Sequence, residues 1–248
     1  MRVAALSDLH IGVTSRRDGF LHDLPRFGAF LDALEAEHDR VVLLGDIFQT
    51  DHGTVPTRAS ARRHLRRARA RVSRLAERFG GPKYRYVFGN HDTIAATELA
   101  ACEQLCLEDH GVRLLFIHGH QFDPVARSAP LAADLGTWLT GRLRAIGLRP
   151  AAAWLESRDI EIKDRRFRGP HGPYARGASA LARDHDARVV VMGHTHCGRI
   201  DRIDEGLAAN TGSCSRGRLS WISIDTAARR VRLRTDDTVL DETFDEIR

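Results

Sequence analysis

Short apolar runs recur along the chain, and each ends in glycine, aspartate, asparagine or histidine. Arg2–Ser7, Val41–Leu44, Tyr84–Phe88, Val112–Ile117 and Arg188–Met192 are too short for helices and read as buried strands. Between them the apolar period lengthens. Phe27, Phe30, Leu31 and Leu34 form one stripe within Leu24–Glu37, the spacing of an amphipathic helix. Ala61, Leu65, Ala68, Val72, Leu75 and Phe79 make another, predicting one helix from Pro56 to Phe79 that Gly80-Gly81-Pro82 stops. Helices are also expected over Ala95–Leu107 and Pro173–Asp184, and an antiparallel hairpin over Leu219–Ile224 and Arg230–Arg234. The acidic C-terminal stretch reads as peripheral. Strands alternating with helices predict an α/β fold.

One segment stands outside this alternation. Between His120 and Gly172, Leu131, Leu135, Trp138, Leu139 and Ile146 predict an amphipathic helix, Gly147–Pro150 breaks it, and Trp154, Leu155 and Ile162 suggest a second, shorter one. The expectation is a single domain over 1–248 with a helical insert at 121–171. That insert is either a cap over a site or an extra layer packed on the scaffold.

Composition narrows the class. With 248 residues, 42% apolar and 29% charged, the chain has the make-up of an ordinary globular protein. Its first residues reach Asp8 and His10 too soon for a signal peptide, and no apolar run approaches a membrane span. A cytoplasmic protein is expected, with peripheral contact at the inner membrane left open. Cys102, Cys106, Cys197 and Cys214 form no C-x-x-C pair, and the first two read as neighbours on a helix. The net charge of +5 invites an anionic partner. However, only Lys83 and Lys163 are lysines, so 36 of the 38 basic residues (38 − 2) are arginine, a skew that compositional bias explains. The nine arginines between Arg58 and Arg78 therefore read first as a solvated helix face, and second as a surface for substrate or membrane.

The chemistry lies at the strand ends. Asp8 and His10, Asp46, Asn90, His118, and His194 with His196 each follow an apolar run, and ligands of open α/β sheets bind beyond the strands' carboxyl ends. Seven oxygen and nitrogen donors are more than one ion needs. Shared by two ions, they leave room for water and substrate. Two divalent ions against the carboxylates of Asp8 and Asp46 leave a residual charge of about +2, which suits a phosphate. Carboxylate, amide and imidazole donors without thiolate favour manganese, with iron, zinc or cobalt as options.

The ordered set Asp8-Leu9-His10, Gly45-Asp46, Gly89-Asn90-His91-Asp92, His118-Gly119-His120 and Gly193-His194-Thr195-His196 resembles the calcineurin-like metallophosphoesterases. The resemblance covers roughly residues 1–120 and 170–235, and Asn210-Thr211-Gly212-Ser213 is similar to a segment the family often carries. It implies a double β-sheet sandwich flanked by helices in four layers. It also implies a first metal on Asp8, His10 and His196, a second on Asn90, His118 and His194, and Asp46 as the bridge. His91 would sit near the leaving-group oxygen as general acid or as a phosphate-stabilising cation, with Asp92 orienting its ring, and a metal-bridging hydroxide would attack the phosphorus. His120 is left outside the metal set.

The insert, entered through Gln121-Phe122-Asp123, is similar to that of UDP-2,3-diacylglucosamine diphosphatases. This implies a lipid-linked nucleotide substrate and membrane contact through the cap. The chain departs from those enzymes in carrying His91 where they have arginine, and in its His118-Gly119-His120 pattern. Other readings are a phosphodiesterase or nuclease acting on nucleic acid or cyclic nucleotides, and a non-catalytic metal-binding scaffold.

Overall fold

A computed structural model describes residues 1–14, 19–51, 57–123, 136, 138–143, 146–167 and 172–244. Among them, β1 (Arg2–Leu6), β2 (Arg40–Leu44) and β3 (Tyr84–Val87) run parallel. The meander β9 (Ser220–Asp225), β10 (Arg230–Thr235) and β11 (Val239–Thr243) extends this sheet beyond β1, in the order β11-β10-β9-β1-β2-β3. A second sheet has the order β4-β5-β6-β8-β7, built from β4 (Gln104–Asp109), β5 (Val112–Ile117), β6 (Val189–Met192), β7 (Arg199–Ile203) and β8 (Gly206–Asn210).

The strand period of two divides the apolar residues between layers. Val3, Ala5, Val42 and Leu44 meet Leu114, Phe116, Val189 and Val191 in the core between the sheets. The alternate residues Ala4, Leu6, Val41 and Leu43 face outward, under α1 (Leu24–Glu37), α2 (Arg58–Arg71) and α3 (Ser73–Arg78). On the far side Leu115, Ile117, Val190 and Met192 pack with Tyr174, Ala178 and Ala182 of α6 (Pro173–His185), which follows α5 (Arg149–Phe167). The result is the α/β double-sheet sandwich flanked by helices.

Several local expectations are corrected. The helix expected over Ala95–Leu107 is a four-residue α4 (Ala95–Glu98) followed by β4. His110 and Gly111, both at positive φ, turn β4 into β5, and this two-residue hairpin overrides the weak helical pattern. Cys102 and Cys106 are therefore not helix neighbours. Cys102 bridges Val87, and Cys106 is exposed on the sheet edge. The arginine-rich helix is two pieces, broken at Val72 (φ −120°, ψ 44°). The strands β7 and β8 were not expected. The described part of the acidic tail forms edge strand β11, where Asp241 pairs with Arg230 and Arg232; Asp245 and Glu246 lie outside the described residues.

In the insert, residues 138–143 are helical and α5 is 19 residues long. Leu131 and Leu135, and the side chain of Ile162, lie outside the described residues. Leu139, Ile146, Leu148 and Trp154 are exposed.

Candidate metal centre

The loops after β1, β2, β3, β5 and β6 all open at the same end of the sandwich. Asp8, His10, Asp46, His194 and His196 have φ between 50° and 67°. Non-glycine residues visit this left-handed region rarely, and such strain collects at functional sites. Here it turns each side chain back over the strand end. Neighbouring loops hold the conformation: Asp8 N–H donates to Gly45 O (3.0 Å), His10 N–H to Asp46 O (2.9 Å) and His194 N–H to Asp8 Oδ2 (3.1 Å).

Glycines let the loops close in. A Cβ on Gly45 would strike the His118 ring, one on Gly89 the Asp46 carboxylate, and one on Gly193 the Ser7 side chain. The segment after β8 braces the same corner. Asn210 Nδ2 donates to Gly193 O (2.6 Å), Ser213 Oγ to Asp8 O (3.1 Å), and Ser7 Oγ to Asp8 Oδ2.

Three overlapping groups of donor atoms result: Asp8, His10 and His196; His10, Asp46 and His91; Asp46, His118 and His194. Within each group the atoms lie within 4.8 Å of one another. His196 Nε2 is 3.1 Å from Asp8 Oδ1 and 3.3 Å from His10 Nε2. His118 Nε2 is 3.2 Å from Asp46 Oδ2.

Outer partners set which nitrogen of each ring is free. His10 Nδ1 donates to Gln49 Oε1 (2.7 Å) and His118 Nδ1 to Leu44 O (2.9 Å), leaving both Nε2 atoms directed inward. His194 Nε2 donates to Asp123 Oδ2 (3.0 Å), which leaves its Nδ1 as the donor atom. Asp8 Oδ1, Asn90 Oδ1 and His118 Nε2 are buried without a well-formed hydrogen bond. Buried polar atoms seldom stay so, and divalent cations answer all three.

The charges agree. Burial raises the pKa of the Asp8 carboxyl, yet His196 and His118 outweigh it and hold the group below the usual carboxylate range. Asp46 is held low in the same way by His118 and His91. Burial, with His91 and His196 nearby, pushes His10 down to about 4, so it is neutral and fit to ligate. His118 is desolvated too, but Asp46 lifts it to about 9; a cation would displace that proton.

Residues 1–198, four-fifths of the chain, match the family model for the calcineurin-like phosphoesterases, Metallophos. The chain belongs to the calcineurin-like phosphoesterase family. Among similar solved structures is Vps29 of Chaetomium thermophilum, at 14% identity over 98% of this chain and 96% of that one, with TM-score 0.51. Two others are Yfce, a phosphoesterase from E. coli (16%, 99% and 100%, 0.49), and Vps29 of Entamoeba histolytica complexed with Zn2+ (17%, 98% and 97%, 0.49). At such identities the likeness speaks to fold alone. Among curated proteins none matches the chain in sequence.

As a family member the chain brings Asp8, His10, Asp46, His118, His194 and His196 together, with the orphaned Asn90 Oδ1 on the loop that carries His91. His120 stays outside the three groups. Its ring centroid is 5.6 Å from that of His118, and burial beside His118 lowers it to about 4.

The role expected for Asp92 is corrected. It does not orient His91. Its buried carboxylate accepts from the backbone N–H groups of Gly89 (2.7 Å), Ile47 (2.8 Å), Phe48 (3.2 Å) and Asp46 (3.3 Å), and from Tyr86 Oη (2.6 Å). Burial and the Asp46 charge still push its pKa up. The group on the His91 ring is Asp51, whose Oδ2 is 2.5 Å from Nδ1. Burial lowers His91, but Asp51 and Asp46 outweigh it and raise the imidazole to about 10, leaving it a cation near neutral pH. Asp51, Gln49 and Asp123 are the residues the sequence reading missed.

Proposed function

We propose that this chain is a metal-dependent phosphoesterase that hydrolyses a P–O bond at two divalent ions. The carrying observation is three overlapping donor groups, two of which share Asp46, together with the partnerless buried atoms Asp8 Oδ1, Asn90 Oδ1 and His118 Nε2 beside them. Asp8, His10 and His196 would hold one ion, Asn90, His118 and His194 the other, and Asp46 both. Ions so placed would polarise the phosphoryl oxygens and lower the pKa of a bound water; manganese, iron or zinc suits the donor set. His91, held as a cation by Asp51, would pair with a phosphate oxygen and pass its proton to the leaving group. Asp51 then stabilises the ring in either protonation state.

The test pairs metal analysis with turnover. Manganese-loaded protein should hold two ions per chain and hydrolyse a small chromogenic phosphoester, whereas Asp46→Ala should lose both ions. Two bound ions with no turnover of any monoester, diester or pyrophosphate would instead make the chain a metal-binding scaffold.

The exposed insert residues Leu139 (45%), Ile146 (70%), Leu148 (50%) and Trp154 (61%) favour a second reading, hydrolysis of a UDP-sugar lipid pyrophosphate with acyl chains on the insert. Detergent-dispersed UDP-diacylglucosamine should then be cleaved faster than a soluble UDP-sugar. Equal rates would dismiss it.

A further inference from the structure

The arginines of α2 divide into two sets. Arg62 Nε bonds Glu98 Oε1 of α4 (2.7 Å), and Arg71 Nε donates to Gly12 O (2.9 Å), two residues beyond His10. Arg78 of α3 pairs with Glu35 and Asp32. These are structural bonds. Arg58, Arg63, Arg66, Arg67 and Arg74 are exposed and have no ion pair among the described residues. Arg63, Arg66 and Arg67 lie on the side of α2 opposite the buried Leu65 and Ala68, with Arg58 and Arg74 toward the two ends.

Compositional bias accounts for arginine in place of lysine. It does not account for seven arginines and no acidic residue in the 14 residues of α2, in a chain with 33 acids in 248. An unrelieved row of like charges costs helix stability, and a bound polyanion would remove that cost.

The helix is also placed over the site's own loops. Its flanks are tied to the loop after β1 through Gly12 and to α4, which follows the Asn90-His91-Asp92 loop. Its N-cap Thr57 is six residues from Asp51, the His91 partner, so the two are at most about 20 Å apart. The row of arginines extends for roughly 20 Å.

We propose that the solvent face of α2 and α3 is a phosphate-backbone track that holds a single-stranded nucleic acid beside the metal centre. This rests on the phosphoesterase reading and names its substrate class. Beside its arginines the face exposes Ala59, Ala70, Ser73 and, on α3, a single acid, Glu77, with no exposed aromatic or large aliphatic side chain. Bases therefore have nothing to stack on, and recognition is of the backbone, without sequence preference. The same lack argues against a lipid surface, which draws on apolar insertion as well as charge.

Binding of a labelled 20-nucleotide phosphorothioate strand, followed by fluorescence anisotropy across a salt series, tests this directly. Five arginine–phosphate contacts on a single strand give a log K against log salt slope of about −3.5, or roughly 100-fold weaker binding from 50 to 200 mM. Arg63→Glu/Arg66→Glu/Arg67→Glu should reduce the slope to about −1.4 or less, with an unchanged circular dichroism spectrum. The matching triple lysine variant should keep most of the binding.

Equal binding by wild type and the glutamate variant would overturn the track. So would capture of vesicles containing phosphatidylserine with no binding of the oligonucleotide, which would make the face a membrane surface. Wild-type turnover of a small chromogenic phosphodiester separates the two readings. Turnover without arginine-dependent oligonucleotide binding sinks the track alone. Such binding without turnover sinks the hydrolytic role and leaves the track.

Discussion

Replacing Asp92 by asparagine tests whether this residue serves the chemistry or the architecture. The carboxylate is fully buried and receives five donors, Gly89 and Asp46 N–H on Oδ1, and Ile47 N–H, Phe48 N–H and Tyr86 Oη–H on Oδ2. An amide of the same shape keeps one oxygen acceptor and turns an NH2 toward the other donors. Tyr86 can rotate its hydroxyl and accept, but one or two backbone N–H groups are left unpaired. Each such group costs about 1–3 kcal/mol. Removing a charge that burial and Asp46 already disfavour returns part of this. The net loss is about 2–4 kcal/mol, which for a chain of this size lowers Tm by roughly 5–15 °C. Because the donors belong to the loops of Asp46 and Asn90, the second ion should also bind more weakly. Thermal unfolding by circular dichroism and metal content by mass spectrometry check both. A variant that melts within about 2 °C of wild type and keeps its metal, yet loses turnover, would refute the architectural role and return Asp92 to the His91 ring.

Other outcomes follow from the outer contacts. Asp51→Asn removes the partner of His91 Nδ1; it should cut kcat about 10²–10⁴-fold, the usual worth of acid–base help, while two ions stay bound. It should also bring the loss of rate at alkaline pH to lower pH, since the imidazole then yields its proton more easily. Asp123→Asn, which weakens the hold on His194 Nε2, should lower metal affinity about 10–100-fold in a chelator titration. Burial lowers the pKa of His38 from 6.5 despite its bond to Leu34 O. The unfolded chain then takes up a proton that the fold refuses, so this group's stabilising contribution is present above pH 6.5 and is lost as pH falls. Urea unfolding of His38→Gln should show a flatter dependence between pH 7 and 5 than wild type.

How much of this was legible in the residues depends on the range of the interaction. Apolar runs ending in polar residues report local burial, so β1, β2, β3, β5 and β6 stand where the pattern placed them, with the seven donor residues at their ends. The period of α2 likewise showed Leu65 and Ala68 as its buried face.

What local pattern could not show is which loop lies against which. Asp51 and Asp92 are both acids close to ligand residues, and nothing in spacing tells which one touches His91. The tertiary structure decides it, because Gly89 brings the Asn90 loop so close to Asp46 that Asp92 is enclosed by backbone N–H groups, while Asp51 reaches the ring from the next loop. Strand β4 shows the same division. Its helical pattern was locally plausible, but pairing with β5 through a His-Gly turn engages the backbone groups on the side of β5 that would otherwise be the sheet edge. Residue types and order determined that metal-binding chemistry sits at strand ends. Packing of the two sheets determined which atoms converge, because convergence rests on contacts between residues as far apart as Asp8 and His196.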